Sequence, residues 1–371
     1  MRIGVPKEVK NNEYRVGLVP GSVRELVAHG HQVFIERNAG TGIGFDDQAF
    51  EQAGALMLDT HAEIFSTAEM IIKVKEPQPD ECRMMREDQV LFTYLHLAPD
   101  PEQAKLLQQS GCVAIAYETV TNAKGGLPLL SPMSEVAGRM AIQAGATSLE
   151  ISHGGSGVLL GGVPGVAPAK VVVLGGGVVG TNSVRVAMGM GAHVVVIDRA
   201  IDRLYQLDLQ FGSRISTIYS TTDAIEKYVS EADLVIGAVL VPGGSAPRLI
   251  TRDMLKNMRT GSVMVDVSID QGGCFETSKP TTHQNPTYVV EGVVHYCVTN
   301  MPGAVPRTST FALNNATLPF VLALAKYGYR EALRRDPHLM NGLNVCRGQF
   351  THEAVANALQ QEYISAASII H

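Results

Sequence analysis

The chain has 371 residues, 45% of them apolar, and its 30 basic against 36 acidic side chains give a formal net charge of −6. That length exceeds one ordinary hydrophobic core and suits two domains of typical size. The charges form no long run of one sign and no basic face interleaved with aromatics, and no apolar run approaches the ~20 residues that span a bilayer, which argues against nucleic-acid and membrane partners and for a small molecule.

In chain order, residues 2–5 read as a strand, 21–29 as a helix, 32–36 as a strand and 46–53 as a helix. Three further apolar strands fall at 70–74, 90–95 and 113–117, the last two separated by a helix that begins at Asp100-Pro101-Glu102. This alternation predicts a mostly parallel sheet covered on both faces. It contains no glycine turn for phosphate, so the first half is expected to be a Rossmann-like domain that holds substrate. Residues 131–150 form a long helix expected to cross between domains, and the glycine-rich stretch 153–169, HGGSGVLLGGVPGVAPA, is an irregular lead into the next strand.

Residues 170–199, KVVVLGGGVVGTNSVRVAMGMGAHVVVIDR, then read as strand, glycine turn, helix, second strand and terminal carboxylate. Gly175, Gly177 and Gly180 match G-x-G-x-x-G directly after an apolar strand. The first glycine permits the tight turn, the second lets backbone approach a pyrophosphate, and the third lets helix pack closely on strand. The helix beginning near Val178 aims its unpaired N–H groups at those phosphates. Asp198, eighteen residues after Gly180, is placed to accept the hydroxyls of an adenosine ribose and to repel a 2′-phosphate. NAD is therefore expected over NADP, although Arg199 beside it would favour the phosphate.

Further strands are expected at 215–219, 234–239, 263–267 and 287–290. After about residue 305 the pattern becomes helical: 309–327 reads as one long, largely apolar helix interrupted by Pro319, with more helix beyond. That tail has too few strand signals for a domain and is expected to pack back on the first half. The expected fold class is therefore α/β, with two Rossmann-like doubly wound domains and a cleft between them. The substrate domain is discontinuous, 1–130 with 305–371, around an NAD-binding domain at 131–304.

Cys82, Cys112, Cys274, Cys297 and Cys346 are odd in number and widely spaced, without zinc-like spacing. They suit reduced thiols of a cytoplasmic protein. The opening MRIGVPKEVK reads as a strand and not as a signal segment.

In parallel α/β sheets ligands bind beyond the carboxyl ends of strands, so polar residues there carry weight. Lys75 closes MIIKVK, His96 closes VLFTYL, Glu118 closes CVAIAY, Arg15 lies in the loop after the first strand, and Asp270 follows VMVDVSI. Arg15 can grip a carboxylate in a planar fork, and Lys75 can polarise a carbonyl or imine. His96 suits proton transfer near neutral pH, and Asp270, from the other domain, completes the group when the cleft closes. Spacing alone leaves Lys73 as a rival to Lys75 and His153 as a rival to His96, and Arg15 and Glu118 could equally form ordinary ion pairs.

The blocks RIGVPKEVKNNEYRVGLVP, IIKVKEP, FTYLHLA, AYETV, LSPMSEVAGRMA, AVLVPGGSAPRLI and VMVDVSIDQGGCFET, together with the glycine motif, resemble the bacterial alanine dehydrogenase family, relatives of the soluble NAD-binding part of nicotinamide nucleotide transhydrogenase. The resemblance covers essentially the whole chain. It implies reversible oxidation of L-alanine with NAD and water to pyruvate, ammonium and NADH. It assigns Arg15 and Lys75 to the substrate and His96 and Asp270 to catalysis. To the cofactor it assigns Ser134, Gly175, Gly177, Val178, Val179, Gly180, Asp198, Arg203, Ser220, Val239, Leu240, Val267, Ser268, Ile269, Asp270, Lys279, Val298, Thr299, Asn300 and Met301. It also implies a homo-oligomer, commonly a hexamer. Some relatives carry a histidine that holds a divalent metal with the equivalent of Glu118; Tyr327 stands there in this chain, so no required metal is expected and Glu118 is left an orienting role. Alternatives are a transhydrogenase-like subunit, an opine-type or other amino-acid dehydrogenase, and a non-catalytic NADH-binding protein.

Overall fold

Strand runs of two to six residues alternate with helices along most of the chain, and a computed structural model describes residues 1–239 and 246–370. The strands are β1 (Arg2–Val5), β2 (Gln32–Glu36), β3 (Leu56–Leu58), β4 (Met70–Ile72), β5 (Val90–Thr93), β6 (Val113–Ala116), β7 (Lys170–Leu174), β8 (His193–Asp198), β9 (Ile215–Tyr219), β10 (Leu234–Gly237), β11 (Val263–Asp266), β12 (Thr287–Val290), β13 (Val293–Tyr296), β14 (Leu343–Cys346) and β15 (Gln349–Phe350). The chain divides into two units, 1–133 with 305–371 and 134–304.

In the first unit β1 to β6 lie parallel in the order β3-β2-β1-β4-β5-β6. β14 and β15 extend the β6 edge antiparallel, with Val345 opposite Ala114 and Cys346 opposite Val113. The C-terminal tail thus adds strands to the first unit that its local pattern did not announce. Sheet order reverses between β1 and β4, and in doubly wound sheets the crevice beyond the strand ends at such a reversal is where ligands bind.

The second unit repeats that order as β9-β8-β7-β10-β11-β13, all parallel, with β12 antiparallel at the edge. Its strands are apolar on both faces because helices cover both: Val171 and Val173 enter one core and Val172 and Leu174 the other. The reversal lies between β7 and β10.

Helix α1 (Ser131–Ser148) runs from the end of the first unit into the second, and α2 (Val178–Gly189) follows β7. The long C-terminal helix α3 (Pro306–Arg335) runs straight through Pro319; its interruption is at Gly328, which stands at φ +73°. The expected break at Pro319 is therefore corrected: a left-handed residue that only glycine adopts readily ends the regular path nine residues later. Among the described residues no helix is long and apolar enough to cross a membrane.

Candidate active site

In the nucleotide unit, β7 ends in the glycine turn at the sheet reversal. Gly175 stands at φ +96°, and a Cβ there would lie 2.7 Å from the carbonyl oxygen of Ala238 at the end of β10. A Cβ on Gly180 would lie 1.8 Å from the carbonyl oxygen of Gly175, so the turn and helix α2 can meet only through glycine. Gly177 is the N-cap of α2 and supplies no side chain to its first N–H groups. Those donors point toward the place a pyrophosphate would take.

Asp198, the last residue of β8, is oriented on both sides: its Oδ2 accepts the Gly176 N–H at 2.6 Å and its Oδ1 the Ala200 N–H at 2.8 Å. The Ser220 N–H donates to the Asp198 carbonyl at 3.0 Å, which brings the end of β9 alongside. Arg203 is built into the turn, donating from Nε to the Gly176 carbonyl at 2.5 Å and from Nη2 to Thr181 Oγ1 at 2.5 Å. Gly176, Asp198, Arg203 and Ser220 thus form one group around the glycine loop. These residues fit a dinucleotide: a cradle that any Cβ would fill, an open helix start and a fixed carboxylate.

The remaining assigned positions differ in what they can offer. Val267 donates its N–H to the Gly237 carbonyl, and Ser268 donates Oγ to the Val239 carbonyl at 2.7 Å, tying the loop after β11 to the end of β10. Leu240 lies outside the described residues. Val298 and Met301 are buried in the apolar core, and Asn300 between them stands at φ +58°, with its carbonyl bonded to His283. Thr299 donates its N–H to the Thr281 carbonyl, Lys279 is exposed, and Ser134 and Val179 are partly buried. Asp270 sits exposed on the 3-10 turn Ile269–Gln271.

In the first unit the loop after β1 carries Arg15 and the chain after β4 carries Lys75, both at carboxyl strand ends flanking the sheet reversal, and the turn after β5, the next strand along, carries His96. Arg15 is buried, and Glu13 takes its side edge in a fork, Nε to Oε1 and Nη2 to Oε2, both at 2.6 Å. Burial pushes the Glu13 carboxyl up, but the hydrogen bonds and charge of Arg15 outweigh it and hold the group below the usual carboxylate range. Burial lowers the Lys75 ammonium; Glu76 opposes that, while Arg15 and Lys10 add to it.

His96 is largely exposed, stacks its ring on Tyr94 with centroids 5.8 Å apart, and stands at φ +48°. Glu118 accepts its backbone N–H at 2.7 Å and that of Leu95 on both oxygens at 3.2 Å. Tyr94 in turn is buried and donates its hydroxyl to the Leu129 carbonyl at 2.6 Å.

The two rivals separate clearly. Lys73 is fully buried between Glu8 at 3.0 Å and Glu81 at 2.8 Å. It is a structural ion-pair centre, whereas Lys75 is not enclosed in that cluster. His153 ends the 3-10 turn Ile151–His153, follows no strand, and pairs with Glu150 in solvent.

Family models for the alanine dehydrogenase/PNT N-terminal and C-terminal domains match residues 4–137 and 141–353. The chain belongs to the alanine dehydrogenase/PNT family. It is 60% identical over 370 residues to an alanine dehydrogenase of Halomonas elongata, with 100% of both chains covered. A solved L-alanine dehydrogenase, 56% identical, superposes with a TM-score of 0.94 over 97% of this chain and 99% of the other. A transhydrogenase from Sinorhizobium meliloti, 24% identical, shares the fold with a TM-score of 0.81 over 95% of this chain and 100% of that one. The family is one of pyridine-nucleotide-dependent oxidoreductases.

Against that family frame, the structure adds residues that strand-end reasoning passed over. Glu13 was visible only as a neighbour of Arg15 in NNEYRV. Glu8 accepts the backbone N–H groups of Val74 and Lys75 at 2.7 and 3.3 Å, so it ties the loop after β1 to the chain after β4. Asp266, the true last residue of β11, is buried and accepts from Ser268 N–H, Cys274 N–H and Ser278 Oγ, which anchors the loop bearing Asp270. Burial holds its carboxyl above the usual range despite those hydrogen bonds. Among the described residues no group of three or more His, Cys, Asp or Glu is arranged to hold a metal ion, and all five cysteines are buried free thiols. Tyr327 lies on α3 with the Arg335 guanidinium 4.3 Å over its ring.

Proposed function

We propose that the chain catalyses the reversible NAD-dependent oxidative deamination of L-alanine, with water, to pyruvate and ammonium. The observation that carries this reading is the gathering of Arg15, Lys75 and His96 at the carboxyl strand ends beside a sheet reversal that has no phosphate turn of its own. A cationic pair with an imidazole suits a small α-amino or 2-oxo acid.

NAD, when bound, supplies the hydride acceptor for the substrate Cα. Gly175, Gly177, Val178, Val179 and Gly180 would hold its pyrophosphate, Asp198 its adenosine ribose, and Arg203 the phosphate side of the turn. Ser134, Ser220, Val239, Leu240, Lys279 and the segments 267–270 and 298–301 are assigned the remaining contacts by family resemblance. NAD is favoured over NADP because a 2′-phosphate would meet the Asp198 carboxylate, whose orientation is supported by the Gly176 and Ala200 N–H groups.

Arg15 binds the substrate carboxylate and Lys75 polarises the carbonyl oxygen. His96 moves a proton at that oxygen as the carbinolamine forms and collapses, and Asp270 assists water attack or stabilises the cationic nitrogen. Glu118 orients His96, and no metal is required. We further assign a cytoplasmic location, supported by the free buried thiols, and a homo-oligomeric state, a hexamer as the resemblance implies.

The test is consumption of NADH with pyruvate plus ammonium. We expect turnover that falls by roughly 10² or more in His96→Ala. Tight NADH binding without such turnover would favour a transhydrogenase-like or non-catalytic role, and faster turnover with bulkier 2-oxo acids would favour an opine-type dehydrogenase.

A further inference from the structure

We propose that Glu13 is the positioning residue that turns Arg15 toward the substrate, an inference that rests on the assignment of Arg15 to the substrate carboxylate. The Glu13 fork occupies the side edge of the guanidinium, Nε and Nη2, so a carboxylate arriving at Arg15 does not take that edge. The Arg15 backbone N–H also donates to Glu13 Oε1 at 3.2 Å, so the carboxylate grips both ends of the residue it orients. Both side chains are essentially removed from solvent, at 2% and 0% exposure, and Nη1 donates to Met133 Sδ at 3.1 Å. With so little room to relax, the direction of the planar group is set by its partners.

Charge explains why the partner is a carboxylate. Arg15, Lys10 and Lys75 are mutually repelling cations with Glu13 and Glu76 among them, and removing Glu13 leaves the repulsion between Arg15 and Lys75 less offset.

The amide of Glu13→Gln can still accept from Nε, but its NH₂ meets Nη2 donor against donor. We expect the KM for pyruvate and for alanine to rise about tenfold or more, the loss of one charge-assisted hydrogen bond, with the KM for NADH unchanged. Because Glu13 acts through Arg15, the double variant with Arg15→Lys is expected to be no worse in pyruvate KM than Arg15→Lys alone. A Glu13→Gln enzyme that loses thermal stability or kcat while keeping its pyruvate KM overturns the inference, as does full additivity with Arg15→Lys. If Glu13→Gln does not fold, Glu13→Asp is read in its place: a rise on the order of threefold in pyruvate KM supports the inference and an unchanged value overturns it. An unchanged pyruvate KM in Arg15→Lys itself removes the underlying assignment, whereas a raised KM there beside an unaffected Glu13→Gln removes only the role of Glu13.

Discussion

Glu118 Oε1 accepts the backbone N–H of His96 at 2.7 Å while that histidine is held at φ +48°. A left-handed backbone costs a β-carbon-bearing residue roughly 1–2 kcal/mol, so the turn that presents the imidazole persists because the carboxylate also takes the Leu95 N–H. Removing the clamp in Glu118→Ala is expected to cost about 1–3 kcal/mol of stability and to lower kcat about tenfold or more through a misplaced proton-transfer group. Glu118→Gln keeps an acceptor oxygen and is expected to fall between the two. Denaturant unfolding and steady-state turnover check both, and wild-type kcat in Glu118→Ala would show that the imidazole is placed by other means.

Asp198 reaches the nucleotide side of its unit with one oxygen on Gly176 N–H and the other on Ala200 N–H. Asp198→Ala removes the repulsion toward a 2′-phosphate and leaves Arg203 nearby, bonded to the Gly176 carbonyl. The ratio of kcat/KM for NAD over NADP is expected to fall by about two orders of magnitude, the scale of two lost charge-assisted hydrogen bonds. An unchanged ratio would take the carboxylate out of ribose recognition.

Gly180→Ala would place a methyl 1.8 Å from the Gly175 carbonyl oxygen, a distance no relaxation of a flexible side chain can absorb because the obstacle is backbone. The helix must back away from β7 and take its uncapped N–H groups with it. We expect NADH affinity, followed by nicotinamide fluorescence, to fall about a hundredfold or beyond detection, the scale of several lost charge-assisted bonds.

The fold class was legible because runs such as Lys170–Leu174 and Val263–Asp266 are apolar on both faces, the mark of buried parallel strands. β3, β13 and β14 were not, because runs of three or four residues carry too little periodicity of their own, and their pairing is set by edges distant in the chain, as that of β14 is by β6. The same limit applied to the site. Alternation places Lys73 and Lys75 on one side, and what separates them is Glu8, 65 residues before Lys73, arriving from the other side of the sheet reversal. Strand ends in the sequence pointed to residues that face ligand, whereas Glu13, Glu8 and Asp266 face other protein groups, and such partnerships are set by tertiary contact.

The Lys73 cluster reaches the surface through His61, whose Nδ1 lies 2.6 Å from Glu36 and whose Nε2 lies 3.2 Å from Glu81. Burial alone would lower this imidazole, but hydrogen bonds to Glu36 and Glu81 win and raise it from 6.5 to about 9. A raised value in the folded state means that the folded chain binds the proton more tightly, so the stabilisation is complete below pH 6.5 and is lost as pH climbs through about 9. The thiols contribute their own decline only above their ordinary value of 9, since burial raises Cys82 and Cys112 to about 12. Between those limits His61 supplies a decline, against which the depressed Lys75 acts in the opposite sense, and replacing His61 isolates its share. We expect the unfolding free energy of the wild type to fall relative to that of His61→Asn by on the order of 2 kcal/mol from pH 6.5 to 9, since the asparagine keeps a polar group beside both carboxylates without the titrating charge. Parallel slopes for the two proteins would mean that the Glu36 and Glu81 carboxylates draw no stability from the imidazolium, and that Lys73 alone balances the cluster.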